Sequence, residues 1–534
     1  MLLDSAGFAP AASSLRTRRS TPGLRAPLIT QRRLEIKIIN KSSFVYIGTD
    51  GSMRNVRRAG RIRRVRTSNR INDHSGRNTD KLKKLIDKIA KDTKPTDGEI
   101  ADTIAYSNSI MNRLKERLES SVEIILAGSV ARGTQIRGKS DIDIFLMFPK
   151  TLDEREMEHK AIEIAKSIVD SKRESFVINY AEHPYIKIID RHTLMSADIV
   201  PAFKIRDASE MASAVDRTPL HNLFVNSNLT ERQKGDVRVL KYFLDQHYIY
   251  GAEARVGGFS GYLCEILVYS YGSFLNLISN FANAQERIVV DVINRKISFD
   301  KGDLDSYCKR FGSNFVVIDP TDNNRNVAAA VSQNSLARFV MISRRLLKDD
   351  PKRAFYREKF SESNNGSDIV RIARDYSLDM YSIVMESDRI SEDTVWPQLV
   401  KLSSKISTLM IDNKFEPLLV LYGIKDSKAV INIMANALQN GAVVINGPSV
   451  FFADGAEKFY LKHKKRAEIF IERDRLIALE KSRFRDLKEL LNFVVRDKSF
   501  KFPSHIKKSG ARVSKRLSID EDSIIFDNLV RKRI

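Results

Sequence analysis

Cysteine is almost missing from this chain: 534 residues hold two, Cys264 and Cys308. At most one disulfide could form, so a cross-linked scaffold is excluded and stability has to come from apolar cores. Cys264 falls inside the apolar-periodic Tyr262-Leu263-Cys264-Glu265-Ile266-Leu267, which predicts a reduced, buried thiol. Neither cysteine is expected to ligate a metal, and no Cys/His cluster is present, so any metal would be held by hard oxygen donors. Also absent is an uninterrupted apolar run approaching the ~18 residues that cross a bilayer. The N-terminus lacks the apolar centre of a secretory signal, so no membrane partner is expected and the cytosol is the expected compartment. No internal repeat is visible.

The length exceeds what one hydrophobic core usually supports, which predicts three or more domains. A net charge of +23 points to a polyanionic partner such as nucleic acid. The charge is unevenly placed. Residues 1–78 carry 17 Lys and Arg against 4 Asp and Glu, which is +13 of the total. This Arg- and Ser-rich extension is read as mostly disordered, with strand-like pieces at 34–39 and 44–47. Three origins compete for it: a nucleic-acid-binding arm, an organellar transit peptide, or residues upstream of the true start, with Met53 an unconvincing alternative initiator.

From Thr79 the pattern becomes globular. Leu82, Leu85, Ile86 and Ile89 recur at helical spacing, and 100–118 predicts a second helix; both are expected to brace a catalytic domain over 79–228. Strands are predicted at 122–126, 142–148, 176–178, 185–189 and 196–203, with a helix over 154–170. Residues 229–348 read as a mainly helical domain with one strand at 315–318 and a polar loop at 319–326. Residues 349–534 mix helix at 396–411 with strand at 418–422 and are expected to end in a charged helical tail.

The chemistry is concentrated in Leu126-Ala127-Gly128-Ser129-Val130-Ala131-Arg132-Gly133-Thr134 and Ser140-Asp141-Ile142-Asp143-Ile144-Phe145. Alternate residues of a strand share a face, so Asp141 and Asp143 project together while Ile142 and Ile144 enter the core. Asp198, in Ser196-Ala197-Asp198-Ile199-Val200-Pro201, offers a third carboxylate from another apolar strand. Three such oxygen donors suit a two-metal phosphoryl-transfer centre, with Mg²⁺ the expected cofactor. The Gly128-Ser129 turn, lying between a strand and a helix start, could grip a triphosphate through backbone N–H groups and the Ser129 hydroxyl, with Arg132 adding charge. Lys462-His463-Lys464-Lys465-Arg466 and Lys507-Lys508 are candidate RNA-phosphate contacts.

The pattern of Gly-Ser, a spacer and Asp-x-Asp resembles the signature of the polymerase-beta nucleotidyltransferase superfamily. More narrowly, the chain resembles archaeal-type (class I) CCA-adding enzymes. The resemblance is carried by Ala181-Glu182-His183-Pro184-Tyr185, Ser213 to Pro219, Ile249-Tyr250-Gly251-Ala252-Glu253, Gly258 to Glu265 and Asp319 to Ala328. It runs from about residue 79 to the C-terminus, dense to 345 and thin beyond. Many relatives carry Glu where this chain has Asp141.

The resemblance implies a multidomain α+β fold: a polymerase-beta-like mixed α/β catalytic head, a mainly helical central domain, and α/β RNA-binding C-terminal domains. It implies template-independent addition of C, C and A to the 3′ end of tRNA from CTP and ATP. Asp141, Asp143 and Asp198 would hold Mg²⁺, and Gly128, Ser129 and Arg132 would bind the nucleotide. His221, Lys241 and Tyr250 would contact its triphosphate or sugar, and Arg325 would read the base edge. A homodimer is one assembly considered. A poly(A) polymerase or other RNA 3′-terminal transferase would share the carboxylates and differ in product length. A non-catalytic RNA-binding protein has no need of three acids facing a phosphate.

Overall fold

In the catalytic segment, apolar residues alternate with polar ones along each strand, and this period of two decides which face turns inward. The computed structural model describes residues 45–47, 53–55, 70–515, 524–525 and 528–529, except 140, 181–182, 206–207, 295, 298–299, 357–364 and 437–440. Most of the expected basic extension, with the strand-like piece at 34–39, lies outside the described residues. Within it Val45–Ile47 (β1) pairs antiparallel with Met53–Asn55 (β2).

Two helices follow, Arg70–Asp92 (α1) and Asp97–Lys115 (α2). Thr96 caps α2: its hydroxyl accepts from the Glu99 backbone N–H while the Glu99 carboxylate reaches back to Thr96 N–H. The catalytic sheet comprises Glu123–Ala127 (β3), Asp141–Phe148 (β4), Glu174–Tyr180 (β5), Pro184–Asp190 (β6) and Ser196–Phe203 (β7), in the order β3-β4-β7-β6-β5. Only β4 and β7 run parallel. Between β3 and β4 lies the short helix Gly128–Arg132 (α3), and Glu154–Ser167 (α4) follows β4.

One face of the sheet buries Ile142, Ile144, Leu146, Phe148, Ile186, Ile188, Ala197 and Ile199 against Tyr106, Ile110 and Leu114 of α2 and Met157, Ala161 and Ala165 of α4. The other face holds a small cluster of Ala127, Phe145, Met147 and Ala202, and beyond it the carboxylates. Two helices were expected to brace this domain. Only α2 does so, because Leu82, Ile86 and Ile89 of α1 pack in the central core instead.

That core is built from Thr218–Asn228 (α5), Glu231–Gln246 (α6), Gly261–Tyr271 (α7), Phe274–Ala282 (α8), Gln333–Lys348 (α10) and Pro351–Phe355 (α11), while Lys301–Phe311 (α9) packs through Leu304, Tyr307, Cys308 and Phe311 in a separate cluster with Val289, Val316 and Ile318. Phe243, Phe259, Phe274, Phe281, Phe339 and Phe355 are the central core's large, fully buried members. Where one strand was expected, three form: Ile288–Asp291 (β8), Phe315–Asp319 (β9) and Asp322–Asn326 (β10), in the order β10-β9-β8. The expected polar loop is therefore largely an edge strand. Asp-Asn-Asn-Arg-Asn shows no alternation because only its ends pair with β9, around an irregularity.

The C-terminal region begins with Asn365–Asp375 (α12) and carries a four-stranded sheet that includes Asp379–Ser387 (β11), Pro417–Lys425 (β12) and Lys428–Ala435 (β13). The helix Glu392–Asp412 (α13), with Pro397 in its first turns, packs on this sheet through Val395, Trp396, Leu399, Leu402 and Ile406. A second small sheet combines Ala442–Ser449 (β14), Ala467–Glu472 (β15) and Arg475–Lys481 (β16) with Ala453–His463 (α14). After Leu487–Arg496 (α15), Ile506–Ser514 (β17) returns to pair with β11; most of the expected helical tail beyond it lies outside the described residues, and 524–525 and 528–529 are helical.

Candidate active site

The parallel register of β4 and β7 places Asp143 opposite Asp198 and Asp141 opposite Ser196. Ile142, Ile144, Ala197 and Ile199 occupy the buried face, so all three carboxylates fall on the other. Burial, reinforced by the negative charge of Asp198, pushes the Asp143 carboxyl up to about 6. Asp198 is also raised by burial, although Lys187 opposes this. Lys187 stands opposite Asp198 on β6, with its ammonium 3.2 Å from Asp198 Oδ1 and 3.5 Å from Asp141 Oδ1. Asp141 is the most exposed of the three and accepts from the Ser196 hydroxyl at 3.1 Å. One lysine thus faces three carboxylates.

The turn before α3 presses onto this cluster. Gly128 has φ +72°, and a Cβ there would stand 1.7 Å from Asp143 Oδ2. Only glycine permits both the left-handed backbone and that approach. Ser129 follows it, partly exposed, at the start of α3.

Arg132 and Lys241 occupy the layer beneath the turn. Arg132 is buried, with Nε 3.0 Å from Glu265 Oε2 and Nη1 donating to Asn222 Oδ1 at 3.1 Å. Lys241 is 2% exposed, donates to the Thr134 carbonyl at 3.0 Å and lies 3.7 Å from Glu265 Oε1. The Thr134 hydroxyl donates to the same Glu265 oxygen. Burial lowers the Lys241 pKa, with Glu265 opposing it. Tyr250 is also enclosed, and burial raises its phenol. A Cβ at Gly261 would lie 3.3 Å from the Tyr250 hydroxyl and 3.5 Å from Lys241 Nζ, so these two side chains meet at the start of α7.

His221 and Arg325 converge on Asp319, across the Tyr262 ring from Arg132, whose guanidinium carbon is 6.0 Å from that ring. His221 Nε2 is 3.1 Å from Asp319 Oδ2, and Arg325 Nη1 donates to that oxygen at 2.7 Å. Tyr262 stacks on His221 with centroids 3.8 Å apart and donates to Asp319 Oδ1 at 3.1 Å. Burial pushes Asp319 up, but the bonds from His221, Thr321 and Arg325 outweigh it and hold the carboxyl below its ordinary range. His221 is lowered chiefly by its own burial, against the pull of Asp319. Beside Arg325 opens a cavity of about 460 Å³ whose lining includes Arg217, Ser260 and Asn324.

The predicted residues therefore lie in order: Asp141, Asp143 and Asp198 on the catalytic sheet, Gly128 and Ser129 at the start of α3, Arg132, Lys241 and Tyr250 behind the turn, and His221 with Arg325 on Asp319, joined to Arg132 through the Tyr262 ring. Sequence reasoning passed over Lys187, Thr134, Asn222, Tyr262, Glu265 and Asp319. A signal existed for Glu265, a lone acid in an otherwise apolar helical stretch. Lys187 could also be read from its alternation with Ile186 and Ile188. Of the basic segments, Lys462, Lys464, Lys465 and Arg466 are exposed, whereas Lys508 folds back onto the carbonyls of Asp497 and Phe500.

The donor set suits a hard divalent cation: all oxygen, with more negative charge than Lys187 offsets. The three carboxylates do not bring one ligand atom from each to within 4.8 Å of the others, as two carboxylate oxygens of Glu154 and Glu158 and a ring nitrogen of His183 do among the described residues. Asp141 is instead held by Ser196 and Lys187.

Residues 108–221 match the family model of the nucleotidyltransferase domain, and residues 235–357 that of the tRNA nucleotidyltransferase second domain. Residues 378–514 match the CCA-adding enzyme C-terminal domain. The chain is 31% identical to a CCA-adding enzyme of Methanocaldococcus jannaschii, over 78% of this chain and 91% of that protein. To a CCA-adding enzyme of Archaeoglobus fulgidus it is also 31% identical, over 76% of this chain and 87% of that protein. A solved cytoplasmic RNA terminal U-transferase superposes with TM-score 0.42 and 16% identity, over 53% of this chain and all of that one, a likeness too loose to bear on function. Three successive family matches and relatives aligned over most of both lengths agree with the carboxylate sheet: the chain belongs to the CCA-adding enzyme family and is a nucleotidyltransferase.

Proposed function

We propose that this enzyme adds C, C and A to the 3′ end of tRNA without a template, consuming CTP and ATP and releasing pyrophosphate. The observation that supports this most is Asp143 in register with Asp198, beneath a glycine turn that only Gly128 can make. Asp141, Asp143 and Asp198 would hold Mg²⁺, which when bound supplies activation of the primer 3′-hydroxyl and neutralisation of the leaving pyrophosphate. Ser129 and the turn would hold the triphosphate. Arg132 and Lys241, buried behind the turn, lend it positive potential in a low-dielectric setting. Tyr250, near Lys241 at the start of α7, and His221 would contact the triphosphate or sugar.

Without a template, the choice of base must come from fixed donors that leave U or G unpaired, and Arg325 beside its cavity is the proposed donor. The working divisions are 79–228 for catalysis, 229–348 for nucleotide and tRNA, and 349–534 for the tRNA body, with 1–78 as an extension. A homodimer acting in the cytosol is the assembly put forward, tested by light scattering and cell fractionation.

The deciding experiment supplies tRNA lacking its 3′ terminus with each nucleotide singly and together, with Mg²⁺. Two additions from CTP and a third only with ATP are expected. A long tail from ATP alone would replace this reading with a poly(A) polymerase. Asp143→Ala should abolish incorporation and spare tRNA binding; retained incorporation would refute the site.

A further inference from the structure

Arg325 can discriminate bases only if its guanidinium has a fixed direction. The five donors of an arginine form a rigid fork, but the fork sits on a flexible stem. A swinging fork would satisfy U or G as readily as C or A. Something must hold it, and the cavity lining does not, since Arg325 is itself part of that lining and is 32% exposed.

The restraint lies one layer deeper. Asp319 closes β9, is fully buried, and is not among the residues that line the cavity. Its Oδ2 takes Arg325 Nη1 at 2.7 Å and stands 3.1 Å from His221 Nε2. Its Oδ1 takes the Tyr262 hydroxyl at 3.1 Å, the Thr321 hydroxyl at 2.8 Å and the Thr321 N–H at 2.9 Å. Both oxygens are therefore committed, and the carboxylate cannot rotate without breaking several bonds. Those bonds reach α5, α7 and the β9–β10 turn, so Arg325 is anchored to three parts of the central domain at once. The Tyr262 ring, stacked on His221 at 19° between planes, also lies 6.0 Å from the Arg325 guanidinium carbon. One nitrogen of Arg325 is consumed inward, while the same side chain lines the cavity.

We propose that Asp319 is the positioning residue for base selection, holding the Arg325 guanidinium at one orientation toward the incoming base. This rests on Arg325 being the base-edge donor. Asp319 touches no nucleotide, and its effect passes through Arg325.

The test uses the full-length enzyme with tRNA lacking its 3′ terminus and compares kcat/KM for CTP with that for UTP at the first position, and for ATP with that for GTP at the third. In Asp319→Asn the carboxylate charge is lost and Arg325 is released; the correct-to-incorrect ratio is expected to fall about tenfold or more. A purely structural role would slow all four nucleotides alike and leave the ratios unchanged, and that result overturns the proposal. Arg325→Ala is measured in parallel. Unchanged ratios there would refute the base-donor reading, whereas a fall in Arg325→Ala without one in Asp319→Asn refutes the positioning role alone. The double variant should be no less selective than Arg325→Ala; additive loss would contradict action through Arg325. Should Asp319→Asn fail to fold, Tyr262→Phe removes one bond to Asp319 and keeps the ring. Its ratio should fall by about threefold, and an unchanged ratio counts against the proposal.

Discussion

Replacing Gly128 with alanine should disable the enzyme while leaving it folded. Gly128 has φ +72°, a conformation that costs an L-residue about 1–2 kcal/mol. The added methyl would also stand 1.7 Å from Asp143 Oδ2, 2.7 Å from its Cγ and 3.1 Å from its Cβ. Asp143 is short and sits on a strand paired on both sides, so it can yield only by rotating its carboxylate away from the Gly128 turn. A displacement of about 1 Å in a catalytic group costs on the order of 10²-fold in rate. Gly133 supplies the control: it has φ +66°, yet its nearest neighbour would be the flexible end of Lys234 at 3.6 Å. Both variants should lose a similar amount of stability in thermal melts, since both bear the backbone strain. Single-turnover incorporation of labelled CTP should fall about a hundredfold in Gly128→Ala and change little in Gly133→Ala. Wild-type rates in Gly128→Ala, or an equal loss in both, would refute the argument that Asp143 is what the turn controls.

Glu265→Gln leaves Arg132 and Lys241 buried without their shared anion, and urea denaturation should show a loss of about 3–5 kcal/mol. Glu174, 2% exposed, accepts two bonds from Arg113 and one from Tyr106, so Glu174→Ala should cost about 3 kcal/mol by the same assay and detach α2 from β5. Asp236 in α6 is buried and pushed up to about 6, chiefly by desolvation. Between its unfolded value near ~4 and 6 the native state holds the extra proton, so this group makes stability fall as pH rises through that window, by about 3 kcal/mol in all. Asp236→Asn should therefore melt higher than wild type at pH 7 and about level with it at pH 4; an unchanged pH slope would refute this.

The sequence by itself determined the local patterns, because local patterns need only backbone periodicity. Asp-Ile-Asp-Ile on β4 and Ser-Ala-Asp-Ile on β7 each state which side chains share a face, and Gly-Ser before a short helix marks a turn. The burial of Cys264 was legible too, and Cys264 is free and buried. Periodicity says nothing about what an apolar face packs against, so α1 was assigned to the catalytic domain although its leucines and isoleucines complete the central core. It is equally blind to edge strands such as β10, whose pairing depends on the neighbour and leaves no alternation behind.

Tertiary structure alone decided the electrostatics. The parallel register brings Asp143 level with Asp198, and Lys187 arrives from a third strand to offset them. Arg132 reads along the chain as added charge beside the turn, and the resemblance alone implies a nucleotide contact for Lys241, yet both end buried against Glu265, which is 133 residues from Arg132 in sequence. Charge acts through space at a few ångströms, and only the folded chain sets those distances.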